Sequence, residues 1–559
     1  MSLKKKISAL ILTATVGVSG LIGYNAMNPS KPNYTDDSKT NVNRQMEHIL
    51  NISKEPHTIF DSDKEAQDEV RDYLISELNK LEVSTKTYKY DDVHLKNHEA
   101  YGENATEKVD LENIYGELKG KSDSYILLCT HYDSAGAKEG RYSQSEGSLG
   151  SADAGYALST ILETLRVIKE SNVELENGIK ILFTDGEECG LLGAKESVKE
   201  KEIFDGVNYV INIEARGTSG PAIMFETSPN NKAVLDLYEA TDKPYSYSIT
   251  PEIYRLLPNG TDFTVFLENN LTGINISVLD GLENYHTPND NPDNLSDKSM
   301  QHYGDQVLPI VKEFVSNEKY SNPDVFESKE DSIFFTLGNQ FIRYSKNTNM
   351  ILLALIALSI LFAIKKLNIT NNKNIFKYIG INSLYTLVTV GLGYGLSRLL
   401  ALINGRKFEL TYLPLIKFEK AIFIIVMIAL FVGYFLIVKK FTNNFKENNE
   451  FTVSSLIGLF ILSLVFTFAL PGASYLTVFP SIMLSIALFI KIYLVDVRNI
   501  GYIMLLPIAL IVMLYVPTIY LFNCALTMGA LCVNVFFAII AYTAIMIGLI
   551  NMKEGYKYL

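Results

Sequence analysis

Three patterns of apolar and polar positions follow one another along the chain. Residues 7–24 form an apolar run behind Lys4, Lys5 and Lys6. From about residue 32 to 345, short apolar runs alternate with amphipathic stretches and polar connections. From 347 to 550, long apolar segments dominate. In the middle region, Glu65–Leu81 repeats apolar residues at helical spacing, and Ala154–Ile168 also reads as a helix. Tyr125–Thr130, Ile179–Thr184 and Val207–Ile213 are short apolar runs bounded by polar residues, which predicts buried strands. This alternation predicts an α/β sandwich with a mostly parallel central sheet. The expected organisation is an N-terminal anchor or signal segment over 1–30, a soluble α/β domain over 31–345, and an all-α multi-pass transmembrane domain over 346–559.

Seven segments after the soluble region are long enough to cross ~30 Å of hydrocarbon. They are 347–364, 378–403, 420–438, 452–470, 475–494, 500–521 and 524–550. The first apolar run is read as a membrane anchor rather than a cleaved signal, because bulky Tyr24 stands where processing before Met27 wants a small residue. Basic residues collect in alternate loops: Lys365, Lys366, Lys373 and Lys377, then Lys439, Lys440 and Lys446, then Lys491 and Arg498, then Lys553 and Lys557. With Lys4–Lys6 these predict eight spans, both termini cytoplasmic and residues 25–346 outside. Arg406, Lys407 and Lys417 in the loop 404–419 run against that rule. The spans carry few ionisable residues; Arg398, Lys491 and Asp496 lie at their ends. An anchor or scaffold therefore fits better than a transporter.

Composition changes the picture in two ways. A net charge of −12 excludes a nucleic-acid binder, which needs basic patches to neutralise phosphates. Four cysteines (Cys129, Cys189, Cys524 and Cys532) form no disulfide framework. The bias toward Ile, Lys and Asn, with no Trp, leads to a bacterial cell membrane as the expected location.

The candidate chemistry gathers where the predicted strands end, the usual position of sites in open α/β sheets. His131 and Asp133 follow the first apolar run, Glu187 and Glu188 the second, and Glu214 the third. Asp153 stands in Gly150-Ser-Ala-Asp-Ala-Gly155, and His286 in Tyr285-His-Thr-Pro288. Each alone has a bland explanation: a capping residue, or negative charge at a helix N-terminus. As a set they offer imidazoles and carboxylates, the donors zinc favours. Two His and three carboxylates could hold two ions with one carboxylate bridging.

These residues resemble peptidase family M28, the zinc peptidases. The likeness rests on His131-x-Asp133, Gly-Ser-Ala-Asp153, Glu187-Glu188-x-Gly-Leu-x-Gly193, Asn-x-Glu214 and Tyr-His286-Thr, with Pro56-His57-Thr58 and Asn113-Ile114 upstream. It covers roughly 45–320, and is narrower toward the multi-pass endoplasmic reticulum and vacuolar membrane metallopeptidases. Gly260-Thr-Asp-Phe-Thr-Val-Phe266 and Ser332-Ile-Phe-Phe-Thr-Leu-Gly338 look like theirs. The resemblance implies a zinc-peptidase sandwich with two Zn2+ per chain and a peptide substrate, with aminopeptidase action as the family default. It implies that Asp153 bridges the ions, His131 and Glu214 complete one site, and Glu188 and His286 complete the other. Glu187 would be the general base, and Asp133 would accept the second ring N–H of His131. Many soluble members carry Asp at the position of Glu214, whereas the membrane-bound relatives carry Glu.

Two rivals come from other classes. A glutaminyl cyclase-like transferase also carries His-Tyr-Asp-Ser, here His131–Ser134, but uses one zinc and an indole-lined pocket, and this chain has no Trp. A non-catalytic receptor would lack ligands that are all present here. Tyr285 is better read as a packed aromatic than as an oxyanion donor, and Cys129 and Cys189 as structural thiols. His48, His57, His94, His98 and His302 lack a ligand context.

Overall fold

A computed structural model describes residues 3–101, 105–138, 147–370, 372–410, 416, 418–442, 444–494 and 500–554. Lys417, Asp496, Arg498 and Lys557, which enter the loop-charge argument, lie outside the described residues. The chain divides into two compact units, Asn28–Ser332 and Met1–Met27 with Ile333–Leu559.

The Asn28–Ser332 unit is built on a seven-stranded sheet. Its strands are β1 (Ser84–His94), β2 (Lys108–Leu118), β3 (Tyr125–His131), β4 (Gly178–Thr184), β5 (Val207–Ala215), β6 (Ile223–Thr227) and β7 (Gly273–Val278), in the spatial order β1-β2-β4-β3-β5-β7-β6. The four strands β4, β3, β5 and β7 are parallel. All residues of β3 and β4 are buried, which is why they read as continuous apolar runs rather than alternating ones. The expected mostly parallel sheet is therefore mixed: β1 and β2 extend it antiparallel on one side and β6 on the other. Strand β1 alternates exposed and partly buried positions and β6 has only five residues, so neither produces a long apolar run.

Helices Gly155–Glu170, Val42–Ile52 and Asp297–Ser316 pack on one another, and the first is buried at every position as far as Ile168. Helix Lys64–Lys80 lies at the β1–β2 side. The register aligns His131 with Thr184, Cys129 with Asn212, and Glu214 with Ser277. The carboxyl ends of the four parallel strands thus lie side by side. The loops that leave them carry the candidate residues.

In the other unit, eight helices among the described residues are long and apolar enough to cross a membrane. They lie within Ala9–Ala26, Lys346–Lys366, Lys373–Ile403, Glu419–Phe441, Phe445–Ala469, Pro471–Tyr493, Ile500–Leu526 and Met528–Met552. Inter-helical hydrogen bonds join them, as expected where no apolar driving force separates helix from lipid. The Tyr434 hydroxyl donates to Asn382 Oδ1 at 2.9 Å, and Asn382 Nδ2 donates to Ser455 Oγ at 2.9 Å. One feature departs from the span boundaries read off the sequence. Glu450 falls inside helix Phe445–Ala469, is buried, and accepts from Asn374 Nδ2 at 2.8 Å.

Candidate metal centre

His131 is the last residue of β3 and is fully buried. Its Nδ1 lies 2.9 Å from the backbone carbonyl of Asp133. A carbonyl only accepts, so Nδ1 carries the proton and Nε2 is left facing carboxylates. Asp153 Oδ1 is 3.2 Å from that Nε2 and Glu214 Oε2 is 3.6 Å away. On the other side, His286 Nε2 lies 3.2 Å from Asp153 Oδ2 and 3.0 Å from Glu188 Oε1. Asp153 thus presents one oxygen to each imidazole.

Three groups of potential ligand atoms result, each with all its atoms within 4.8 Å of one another. They are His131–Asp153–Glu214, Asp153–Glu188–His286 and His131–Glu187–Glu188. The five ligands and the Glu187 base expected from the sequence meet here. The arrangement also fits divalent cations chemically. Glu188 Oε1 and His286 Nε2 are both buried and close, yet neither makes a hydrogen bond of proper geometry. Two buried carboxylates (Asp153, Glu214) and two half-buried ones (Glu187, Glu188) face two imidazoles, an excess of negative charge that divalent cations would neutralise.

Backbone geometry delivers these side chains. The Asp133 carboxylate Oδ1 is 3.5 Å from His131 Nδ1, with the Asp133 carbonyl nearer at 2.9 Å. The carboxylate also has a second role: Oδ1 accepts the Glu187 N–H at 3.1 Å and Oδ2 the Glu188 N–H at 3.2 Å. Asp133 therefore clamps the turn that carries both glutamates. Gly186 precedes them at φ +71°, a left-handed conformation where a Cβ would also press on Leu111 and Leu192. His286 itself has φ 55°, uncommon for a non-glycine residue, and its ring stacks under Tyr285 with centroids 3.7 Å apart. Tyr285 thus packs its ring on the candidate ligand His286.

The electrostatics follow from burial and crowding. Burial, then the Glu214 charge, raise Glu187 well above the ordinary carboxylate range. Burial raises Glu188 as well, against the opposing pull of His286. Burial brings Glu214 up to about 8. Burial opposes protonation of His286, but Glu188 and Asp153 prevail and raise it to about 10. For Asp153 burial acts upward, yet the flanking imidazoles of His131 and His286 hold it below its usual value.

Several supporting residues were assigned no role from the sequence, although Asp262 stands within the Gly260–Phe266 motif. Asp290 accepts N–H bonds from Ala152 at 2.7 Å and Asp153 at 3.3 Å, fixing the Asp153 backbone from a distant loop. Asp185 accepts from Gln67 Nε2 at 2.7 Å and Glu112 N at 3.0 Å, and so ties the β4 exit to β2 and to helix Lys64–Lys80. Asp262, fully buried, accepts from the Thr184 hydroxyl. Of the histidines set aside, His57 is buried with its backbone paired to Ser134, and its Nδ1 lies 3.0 Å from the Glu55 carbonyl. His302 is buried between Ala222 N and Lys243 O. His94 faces Glu107 at the surface, and His48 lies against the Tyr73 hydroxyl. Cys129 and Cys189 are free, buried thiols in apolar clusters, and burial pushes both well up.

Residues 113–311 match the family description "Peptidase family M28". Among curated relatives, Endoplasmic reticulum metallopeptidase 1 of Mus musculus is 23% identical over 262 residues, 46% of this chain and 28% of its own length. Vacuolar membrane protease of Yarrowia lipolytica is 24% identical over 356 residues, 59% of this chain and 34% of its own. Matches of this kind span about a third or less of those relatives' length. A Zn-dependent exopeptidase from Parabacteroides distasonis aligns in structure with 20% identity and a TM-score of 0.39, covering 50% of this chain and 99% of that one. The two curated relatives are eukaryotic and lend no support to the bacterial location.

Proposed function

The chain carries a peptidase family M28 domain within a multi-pass membrane protein, and from that premise we propose that it is a membrane-bound exopeptidase, an aminopeptidase, using two zinc ions. The observation that carries the two-ion reading is Asp153, whose two oxygens each lie 3.2 Å from a different imidazole. His131, Asp153 and Glu214 would hold one ion, and Asp153, Glu188 and His286 the other. When bound, such a pair lowers the pKa of a water and polarises the scissile carbonyl.

The protein's own residues supply the rest. Glu187 belongs to neither ligand set that contains Asp153, yet its carboxylate lies beside both. It takes the proton from the attacking water and returns it to the leaving amine. Asp133 holds Glu187 and Glu188 in one turn, so base and ligand keep a fixed separation. Asp290 anchors the Asp153 backbone. With the alternate basic loops cytoplasmic, the Asn28–Ser332 unit would face the opposite side of the bilayer.

The test uses the purified full chain in detergent: zinc per chain by elemental analysis, then a peptide library with products read by mass spectrometry. Two zinc ions and stepwise loss of N-terminal residues are expected. One tightly held ion in a cyclising enzyme would favour a glutaminyl cyclase-like transferase, and absence of any turnover would favour a receptor.

A further inference from the structure

One register below Glu214, a line of buried polar side chains crosses the sheet. Asn212 precedes Glu214 by two residues on β5, so both project to the same face. Asn212 stands opposite Asn275 of β7, and Asn275 opposite Glu226 of β6. The β6–β7 register slips between Met224 and Glu226, a bulge that puts Glu226 where regular pairing would put Phe225. Asn212 and Asn275 are fully buried and Glu226 is 4% exposed.

The hydrogen bonds run in one direction along this line. Asn275 Nδ2 donates to Glu226 Oε2 at 3.2 Å and to Thr261 Oγ1 at 2.9 Å. Asn275 Oδ1 accepts from Asn212 Nδ2 at 3.1 Å, and the same Nδ2 donates to Glu214 Oε1 at 2.9 Å. An ionised glutamate only accepts, whereas an asparagine amide can be turned either way. An acceptor at Glu226 therefore decides which way Asn275 faces. That in turn decides Asn212, and Asn212 must then donate to Glu214.

We propose that Glu226 is a positioning residue for the metal centre: through Asn275 and Asn212 it ties up Oε1 of Glu214 and leaves Oε2 alone for the ion beside His131. The role rests on the two-zinc reading above. It accounts for a feature of this chain. A glutamate at this position has one more torsion than an aspartate and more ways to bind, and the amide chain removes them. Outer partners of this kind hold ligand geometry, and losing one typically weakens metal binding about 10–100-fold.

The test measures the zinc dissociation constants by chelator competition and the visible spectrum of the Co2+-loaded full chain. Glu226→Leu removes the terminal acceptor. Asn275→Asp sets a carboxylate against Glu226 and breaks the line. Adding Glu226→Gln to Asn275→Asp rebuilds it, with the new amide donating toward position 275 and Asn212 still donating. Each single variant is expected to weaken one of the two zinc ions about 10–100-fold and to change the Co2+ spectrum, and the double variant to recover both. Wild-type constants and spectrum in Glu226→Leu would overturn the role, as would a double variant no better than Asn275→Asp. If Glu226→Leu does not fold, the comparison of Asn275→Asp with the double variant decides. A wild-type chain that takes up no zinc would overturn the two-zinc reading itself, and this role with it.

Discussion

Replacing Asp133 by asparagine removes one atom's worth of acceptor from the metal centre and should disable it from outside the ligand set. The carboxylate is 1% exposed and receives two backbone N–H groups, from Glu187 at 3.1 Å and Glu188 at 3.2 Å. Asparagine keeps one oxygen and turns an NH2 group toward the other N–H. One charge-assisted bond is lost, about 1.5–3 kcal/mol, and a buried donor is left unpaired at a further ~1–3 kcal/mol. The sum is about 2.5–6 kcal/mol, partly recovered if the turn moves. Movement of the turn displaces Glu187 and Glu188 together, so activity should fall even where the fold survives. The assays are thermal unfolding of the full chain, zinc per chain after dialysis, and kcat on a peptide substrate. Asp133→Asn with wild-type stability, zinc content and kcat would refute the clamp. Loss of stability with unchanged kcat would show that the turn does not position the base.

Other outcomes separate the remaining roles. Glu187→Gln should keep both zinc ions and lower kcat by about 10²–10⁴-fold, whereas Glu188→Gln should lose one ion; equal zinc loss in both would make Glu187 a ligand. Asp153→Asn should lose both ions by elemental analysis, and retention of one would argue against a bridging carboxylate. His302 is buried with one ring nitrogen accepting from Ala222 N and the other donating to Lys243 O, and burial holds it down to about 3 from 6.5. On acidification the unfolded chain takes up that proton first, so this residue's contribution to stability is lost below pH 6.5, at about 1.4 kcal/mol per pH unit. Chemical unfolding between pH 7 and 5 should show a shallower slope in His302→Gln, and identical slopes would refute it. Protease added to intact cells should reach the Asn28–Ser332 unit but not a reporter fused after Leu559; a digested reporter would reverse the topology.

What could be read in the sequence, and what could not, divides along physical lines. Strands β3, β4 and β5 were legible because parallel strands covered on both faces are apolar at most positions. The convergence of His131, Asp153, Glu187, Glu188, Glu214 and His286 was legible because His131, Glu187, Glu188 and Glu214 stood at the ends of those runs, and Asp153 and His286 in short motifs that resemble the family's. Strands β1, β2 and β6 were not, since their partly exposed or short stretches leave no continuous apolar signature. Nor was the burial of Glu450, which sits at a helix end where sequence alone sees a loop.

The supporting residues were hidden for a different reason. Asp290 reaches the Asp153 backbone across 137 positions, and Asp185 reaches Gln67 across 118. Their partners are backbone groups or amides, which every residue or many residues supply, so no spacing marks them. Asp133 shows the same effect within a recognised motif. The resemblance implied a side-chain partnership with the His131 ring, and the local carbonyl is the nearer acceptor at 2.9 Å. The carboxylate also receives two N–H groups from residues 54 and 55 positions away. A motif therefore fixes which atoms are available near a metal centre. Which partner each atom takes depends on the approach of chain segments that only the fold brings together, and Asp133→Asn is the substitution that tells the two partnerships apart.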